Sequence, residues 1–140
     1  MNAIEKMTDL LRLEQAMLAR EQVECPVDHH FSKGLYVRTM FAPAGTLIMG
    51  KRHRQETCNM LIQGNLLIYA GPDEPPILFK APCVFNSLPG AKKLGYAVTD
   101  VIFSNIHPTE ETDLEKIEAE FIITAGEYLE ANVRAELCLG

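Results

Sequence analysis

Between Gly34 and His107 the chain is a series of short apolar runs, each cut off by glycine or proline before it reaches ordinary helix length. The runs fall at 35–41, 46–53, 60–62, 66–69, 77–79, 84–88 and 101–106. Turn-forming residues separate them at 43–45, 63–64, 71–76, 81–82 and 89–90. Runs of this length, rich in Val, Ile, Tyr and Phe, read as β-strands. Strands recurring about every ten residues, with no helical pattern between them, predict an antiparallel sandwich or barrel rather than a parallel α/β sheet.

The flanks have a different period. In residues 2–24, Ile4, Met7, Leu10, Leu11, Ala16, Met17 and Leu18 recur at spacings of three and four, which predicts an amphipathic helix ended by Pro26. The segment 26–32, PVDHHFS, reads as a loop; if it is extended, His29 and His30 point to opposite sides. After His107, PTEETDLEKIEAEFI offers Thr109 or Thr112 as an N-cap, acids in the first turn, and a stripe of Leu114, Ile117 and Phe121. Gly126 interrupts that pattern, and 128–139 predicts a last short helix. The expected organisation is an N-terminal helix (1–25), a β-barrel (26–108) and a C-terminal helical tail (109–140).

Composition matters mainly for what it excludes. A net charge of −6 and a pI near 5.2 argue against general binding to nucleic acid or anionic membranes. No apolar run approaches the roughly 18 residues needed to span a bilayer, and the N-terminus lacks a signal-peptide pattern. A cytoplasmic location is expected. Cys25, Cys58, Cys83 and Cys138 form no CxxC pair and read as free thiols in a reducing compartment.

The densest group of chemically capable side chains is Lys51, Arg52, His53, Arg54, Gln55, Glu56, Thr57 and Asn59, between the second and third runs. If 46–53 is one strand, alternation places Leu47, Met49, Lys51 and His53 on one face and Ile48 and Arg52 on the other. Either face is compatible with pointing inward. With the first face inward, Lys51 would need an anionic partner to be buried. Lys51, His53, Gln55, Asn59, Asn86 and Lys93 would then line the barrel mouth and bind a small anionic ligand such as a phosphate, nucleotide or carboxylic acid. No Gly-rich phosphate loop, GxSxG elbow or HExxH occurs. Cys58 beside His53 has no third group to orient it as a nucleophile.

Gly45, His53 and Gly64, the strand–turn–strand NMLIQGNLLIY, and APCVFNSLPGAKK with Pro89–Gly90 together resemble a single cupin domain over Gly34–His107. The resemblance implies a mainly β, double-stranded β-helix (jelly roll) with an N-terminal helix and a C-terminal helical tail. The segment IHPTEETDLEKIE is similar to the tails of small phage and prophage cupin-like proteins, which would place the protein in a host cytoplasm. Cupin enzymes hold a metal through a His-x-His, a Glu and a further His. Here the second His position holds Gln55, the Glu position falls near Thr57 or Asn59, and the last His position falls near Lys93. His53 is the best single metal candidate, with Glu56, His107 and His29 or His30 as the only conceivable partners. The expectation is therefore a cupin-like protein without cofactor or obvious catalysis, binding a small anion, of which a nucleotide-type signal is one example. It would self-associate, at least as a dimer, through the stripe Ile4–Leu18. A metal-dependent dioxygenase or isomerase, and a phage structural or assembly protein with an empty barrel, are the alternatives.

Overall fold

The computed structural model describes residues 3–69, 74–124, 126–128 and 130. Residues 24–122 form one compact unit, and helix α1 (Ala3–Leu18) belongs to another. The helix stops well short of Pro26. Its last carbonyls are taken by Ala19 and Arg20 backbone N–H groups and by the Gln22 side chain, which donates to the Met17 and Arg20 carbonyls. A side-chain cap, not proline, ends it. The predicted helix at 128–139 lies largely outside the described residues.

The compact unit contains β1 (Val27–Ser32), β2 (Leu35–Ala42), β3 (Leu47–Met49), β4 (Arg52–His53), β5 (Thr57–Gln63), β6 (Asn65–Tyr69), β7 (Ile77–Lys80), β8 (Cys83–Ser87), β9 (Leu94–Ala97), β10 (Val101–Pro108) and α2 (Leu114–Phe121). A five-stranded sheet runs β1-β2-β10-β5-β8, and a four-stranded sheet runs β3-β9-β6-β7, with the pairings antiparallel. This is the antiparallel barrel expected from the spacing of the runs, and the jelly roll that the cupin resemblance implied. The β5–β6 turn passes from one sheet to the other at Gly64, with φ +89°. A Cβ there would lie 2.1 Å from the Asp100 carbonyl oxygen, so no other residue fits without moving backbone.

Two elements differ from the sequence reading. Segment 27–32 is a strand, not a loop: Lys33–Gly34 makes a two-residue turn, with Gly34 at φ +78°, that folds it back onto β2. Its outward Asp28, His30 and Ser32, and the histidine on its inner face, hide the alternation. A further strand, β9, was not expected from LGYA.

Alternation sorts the inner face of the five-stranded sheet into rows. One row is apolar: Val27, Met40, Phe103, Leu61 and Cys83 are successive cross-strand partners. The next is polar: His29, Arg38, Asn105, Asn59 and Phe85. A third begins Phe31, Tyr36, His107. The main core, Ala42, Leu61, Leu66, Ile68, Ala97 and Val101, closes the apolar end. A second cluster of Tyr36, Ile117 and Phe121 closes the other, because α2 lays its stripe over the barrel mouth. Asp113, rather than Thr109 or Thr112, caps α2, its carboxylate accepting from the Glu115 and Lys116 N–H groups at 3.0 and 3.4 Å.

Candidate functional site

Between the two clusters lies a cavity of about 420 Å³. Met40, Ile48, Leu66, Ile68, Phe85 and Phe103 provide its apolar walls, and Phe85 stacks on Phe79 at 4.2 Å between centroids. The polar lining comes mainly from the second and third rows: His29, Tyr36, Arg38, Asn105, His107 and Ser87, with His53 and Lys93 from neighbouring segments.

His53 is fixed from both sides of β4. Arg52 Nη1 donates to the Gly90 carbonyl and the Gly90 N–H donates to the His53 carbonyl, both at 2.8 Å. Arg54 N–H donates to the Phe121 carbonyl at 2.8 Å, tying the same segment to α2. The reading of 46–53 as a single strand is corrected here. Gly50 and Lys51 interrupt it, so alternation does not carry through, and Ile48 and His53 both face the cavity. Lys51 is not a buried cation. It stands on the rim with its side chain 63% exposed, and its ammonium donates to Glu118 Oε1 of α2 at 2.5 Å. That hydrogen bond is the main reason the Glu118 pKa is lowered.

Beneath the lining runs a chain of hydrogen bonds. Asn105 Nδ2 donates to Asn59 Oδ1 at 2.7 Å, Asn59 Nδ2 donates to Ser87 Oγ at 2.7 Å, and Lys93 Nζ donates to the same oxygen at 2.9 Å. Lys93 also sits 5.3 Å over the Phe85 ring, a cation–π contact. Burial lowers its pKa. Arg38 has no carboxylate hydrogen-bonded to it among the described residues.

At the mouth, rings form a ladder. His29 Nδ1 and the Tyr36 hydroxyl share a hydrogen bond of 2.6 Å; Tyr36 stacks on His107, and His107 contacts His53 at 5.3 Å and Phe121 at 4.7 Å between centroids. Burial, then His53 and Arg38, push the His107 pKa down to about 4. Burial, then Arg38 and Lys51, also lower that of His53. His107 is only 5% exposed, and its ring nitrogens have no hydrogen-bond partner among the described residues. Since no fully buried polar side-chain atom lacks a partner, those nitrogens open on the cavity.

Of the six residues singled out in the sequence, Lys51, His53 and Lys93 line the cavity, and Asn59 lies buried behind it, orienting Asn105 and Ser87. Gln55 and Asn86 lie elsewhere. Gln55 is exposed in the bend after β4, and Asn86 is on the outer face of β8, donating to Glu56 Oε1 at 2.9 Å. Asn86 has the wrong parity: Phe85 and Ser87 take the inward positions. Arg38, Tyr36, Asn105 and Ser87 were missed. Their signal was a polar residue at the same parity as apolar inward ones, as in Tyr36–Arg38–Met40 and Phe103–Asn105–His107.

Metal-ligating side chains are few around the cavity among the described residues. Three imidazoles, His29, His53 and His107, line the cavity. Glu56 is held outside, His30 is on the outer face of β1, and His29 is bonded to Tyr36. Among the described residues no three His, Cys, Asp or Glu side chains converge, and Lys93 and Arg38 would repel a cation. The half-buried Cys25, Cys58 and Cys83 are free thiols. Among the described residues no helix is long and apolar enough to cross a membrane.

No family model and no curated protein matches the sequence. Solved structures do match the fold. A Klebsiella pneumoniae protein with a double-stranded β-helix domain aligns with TM-score 0.53 and 14% identity, over 71% of this chain and 89% of that one. A cupin superfamily protein from Desulfitobacterium hafniense gives 0.51 and 11%, over 64% and 81%. An acetylacetone dioxygenase from Acinetobacter johnsonii gives 0.50 and 15%, over 64% and 74%. The chain has the cupin fold, as its resemblance to that family implied.

Proposed function

From a cupin barrel whose cavity presents cations and amides where metal ligands would stand, we propose that the protein binds a small organic anion inside the barrel, without a resident metal and without catalysis. The observation that carries this reading is the pair Arg38 and Lys93. Both face an apolar-walled cavity, and neither is hydrogen-bonded to a carboxylate among the described residues. A partly buried cation without a hydrogen-bonded acceptor is costly, and an anionic ligand removes that cost. The cavity is of the size that encloses a small molecule rather than a polymer segment. An organic acid fits this lining best, with a single nucleotide-type signal at the upper end of the size range.

Isothermal titration calorimetry with hexanoate, octanoate and benzoate tests the reading. The wild-type protein is expected to bind at least one of them, and Arg38→Met with Lys93→Met to weaken that binding at least about tenfold, or about 1.4 kcal/mol. Lys51→Ala should matter far less, because Glu118 already neutralises Lys51. Unchanged binding by the double variant would overturn the assignment. Native mass spectrometry of protein purified without chelator adds an independent check: a stoichiometric metal would contradict the metal-free reading. The same spectrum tests self-association through α1, for which at least a dimer is expected.

A further inference from the structure

One cation of the cavity, Arg38, belongs to the polar row, and the other, Lys93, comes from the segment after β8 and meets that row at its β8 side. Arg38 is on β2; in register beside it come Asn105 on β10, Asn59 on β5 and Phe85 on β8. Neighbouring strands lie about 4.7–4.9 Å apart, so three steps amount to roughly 14 Å measured along the curved sheet from Arg38 to β8. Lys93 reaches the β8 end, where it meets Ser87 and Phe85. Between the two cations the row carries only uncharged amides.

The direction of the hydrogen bonds shows what the Lys93 end lacks. Ser87 Oγ accepts from both Asn59 and Lys93, which fills its two acceptor positions and leaves its O–H as a donor. No acceptor for that hydrogen occurs among the described residues. The ammonium of Lys93 keeps two more N–H groups in the same condition. This end therefore offers only donors, and it accommodates an oxygen that brings lone pairs and no proton. At the other end the Arg38 guanidinium is also without a hydrogen-bonded acceptor among the described residues, and the fork of its N–H groups suits a carboxylate. Glu118 on the rim also feels the Arg38 charge, but it is hydrogen-bonded to Lys51, and that pair adds no net charge there. Met40, Leu66, Ile68 and Phe103 line the space between, which suits an apolar spacer. A ligand with one acidic group would satisfy one end and leave the other cation without a hydrogen-bonded acceptor.

We propose that the ligand is a dianion with its acidic groups at opposite ends of an apolar spacer: an extended dicarboxylate, one carboxylate received by Ser87 and Lys93 and the other by Arg38. This rests on the cavity being the anion site proposed above, and it adds charge number and spacing.

Calorimetry on the full chain with linear dicarboxylates from malonate to sebacate, each beside the monocarboxylate of equal carbon number, tests the proposal. The expected result is an optimum at intermediate length, where the diacid binds at least about tenfold more tightly than its monocarboxylate. In Arg38→Met or Lys93→Met alone, the preference should fall to within about twofold while monocarboxylates still bind. The wild-type comparison needs no variant, so it stands even where a substitution impairs folding. Equal binding of mono- and dicarboxylates by the wild-type protein would overturn the dianion and leave the anion site intact. A preference that survives both single substitutions would overturn the placement of its ends. Absence of binding by every acid in the series would overturn the proposal together with the site.

Discussion

Leu61, Leu66, Ile68, Ala97 and Val101 close one end of the barrel with almost no exposure and no polar atom from their side chains. At the other end Arg38, Asn105, Asn59, Ser87, Lys93 and His107 occupy inward positions of the same strands or the segments joining them, where hydrophobic residues would add stability. Adjacent rows of one sheet, about 7 Å apart along the strand, thus do opposite things. The apolar row lowers the free energy of the fold. The polar rows keep donors and neutral imidazoles open to a cavity at the expense of stability. Stability and binding should separate at Leu61, which belongs to the apolar row and is not among the cavity-lining residues.

The largest effect is expected at the closed end. Leu61→Ala removes a wholly buried side chain and should cost about 2–5 kcal/mol in urea unfolding. Acid affinity in the remaining folded protein should be nearly unchanged; a matching loss of both would break the separation. A pH effect of the next size is expected at the open end. The folded-state pKa of His107, about 4, lies below the ordinary value of 6.5. The unfolded chain therefore binds the proton first as pH falls. Stability should decline between about pH 6.5 and 4 and level off below, by a few kcal/mol from this group. Unfolding midpoints at pH 7 and 4.5 read the loss, and His107→Phe should flatten it. An unaltered slope in that variant would move the titration elsewhere.

Lys93→Met should leave stability unchanged or raise it by about 1 kcal/mol, because it removes a desolvated cation, while weakening acid binding. A clear loss of stability would mean that the Lys93–Ser87 bond is structural. The smallest effect belongs to the rim. Lys51→Ala should change stability by no more than about 1 kcal/mol, as for other exposed ion pairs, with the difference shrinking in high salt.

Much of this was legible in the chain. Short runs punctuated by glycine and proline specify antiparallel strands, and Gly64 marks the point where the chain changes sheets, because only glycine tolerates that backbone approach. The stripe Leu114–Ile117–Phe121 gave the second helix, although its cap is Asp113. The β1 strand was hidden because its polar outward residues and inward histidine blur the contrast that alternation needs. The site was half legible. His53 and Lys93 could be found from their surroundings in sequence, whereas Arg38 sits inside a strand that reads as ordinary core.

Local backbone preference and the period of two are properties of consecutive residues, so the sequence by itself determined most of the strands and turns, though not β1, β9 or the break at Gly50 and Lys51. Whether a strand's face points inward, and which residues then meet, depends on register between strands far apart in the chain. Arg38, Asn105 and Asn59 become neighbours only when β2, β10 and β5 pair. Only that pairing decides that Ser87 receives two donors, that Lys51 finds Glu118 at the rim, and that two cations face one cavity.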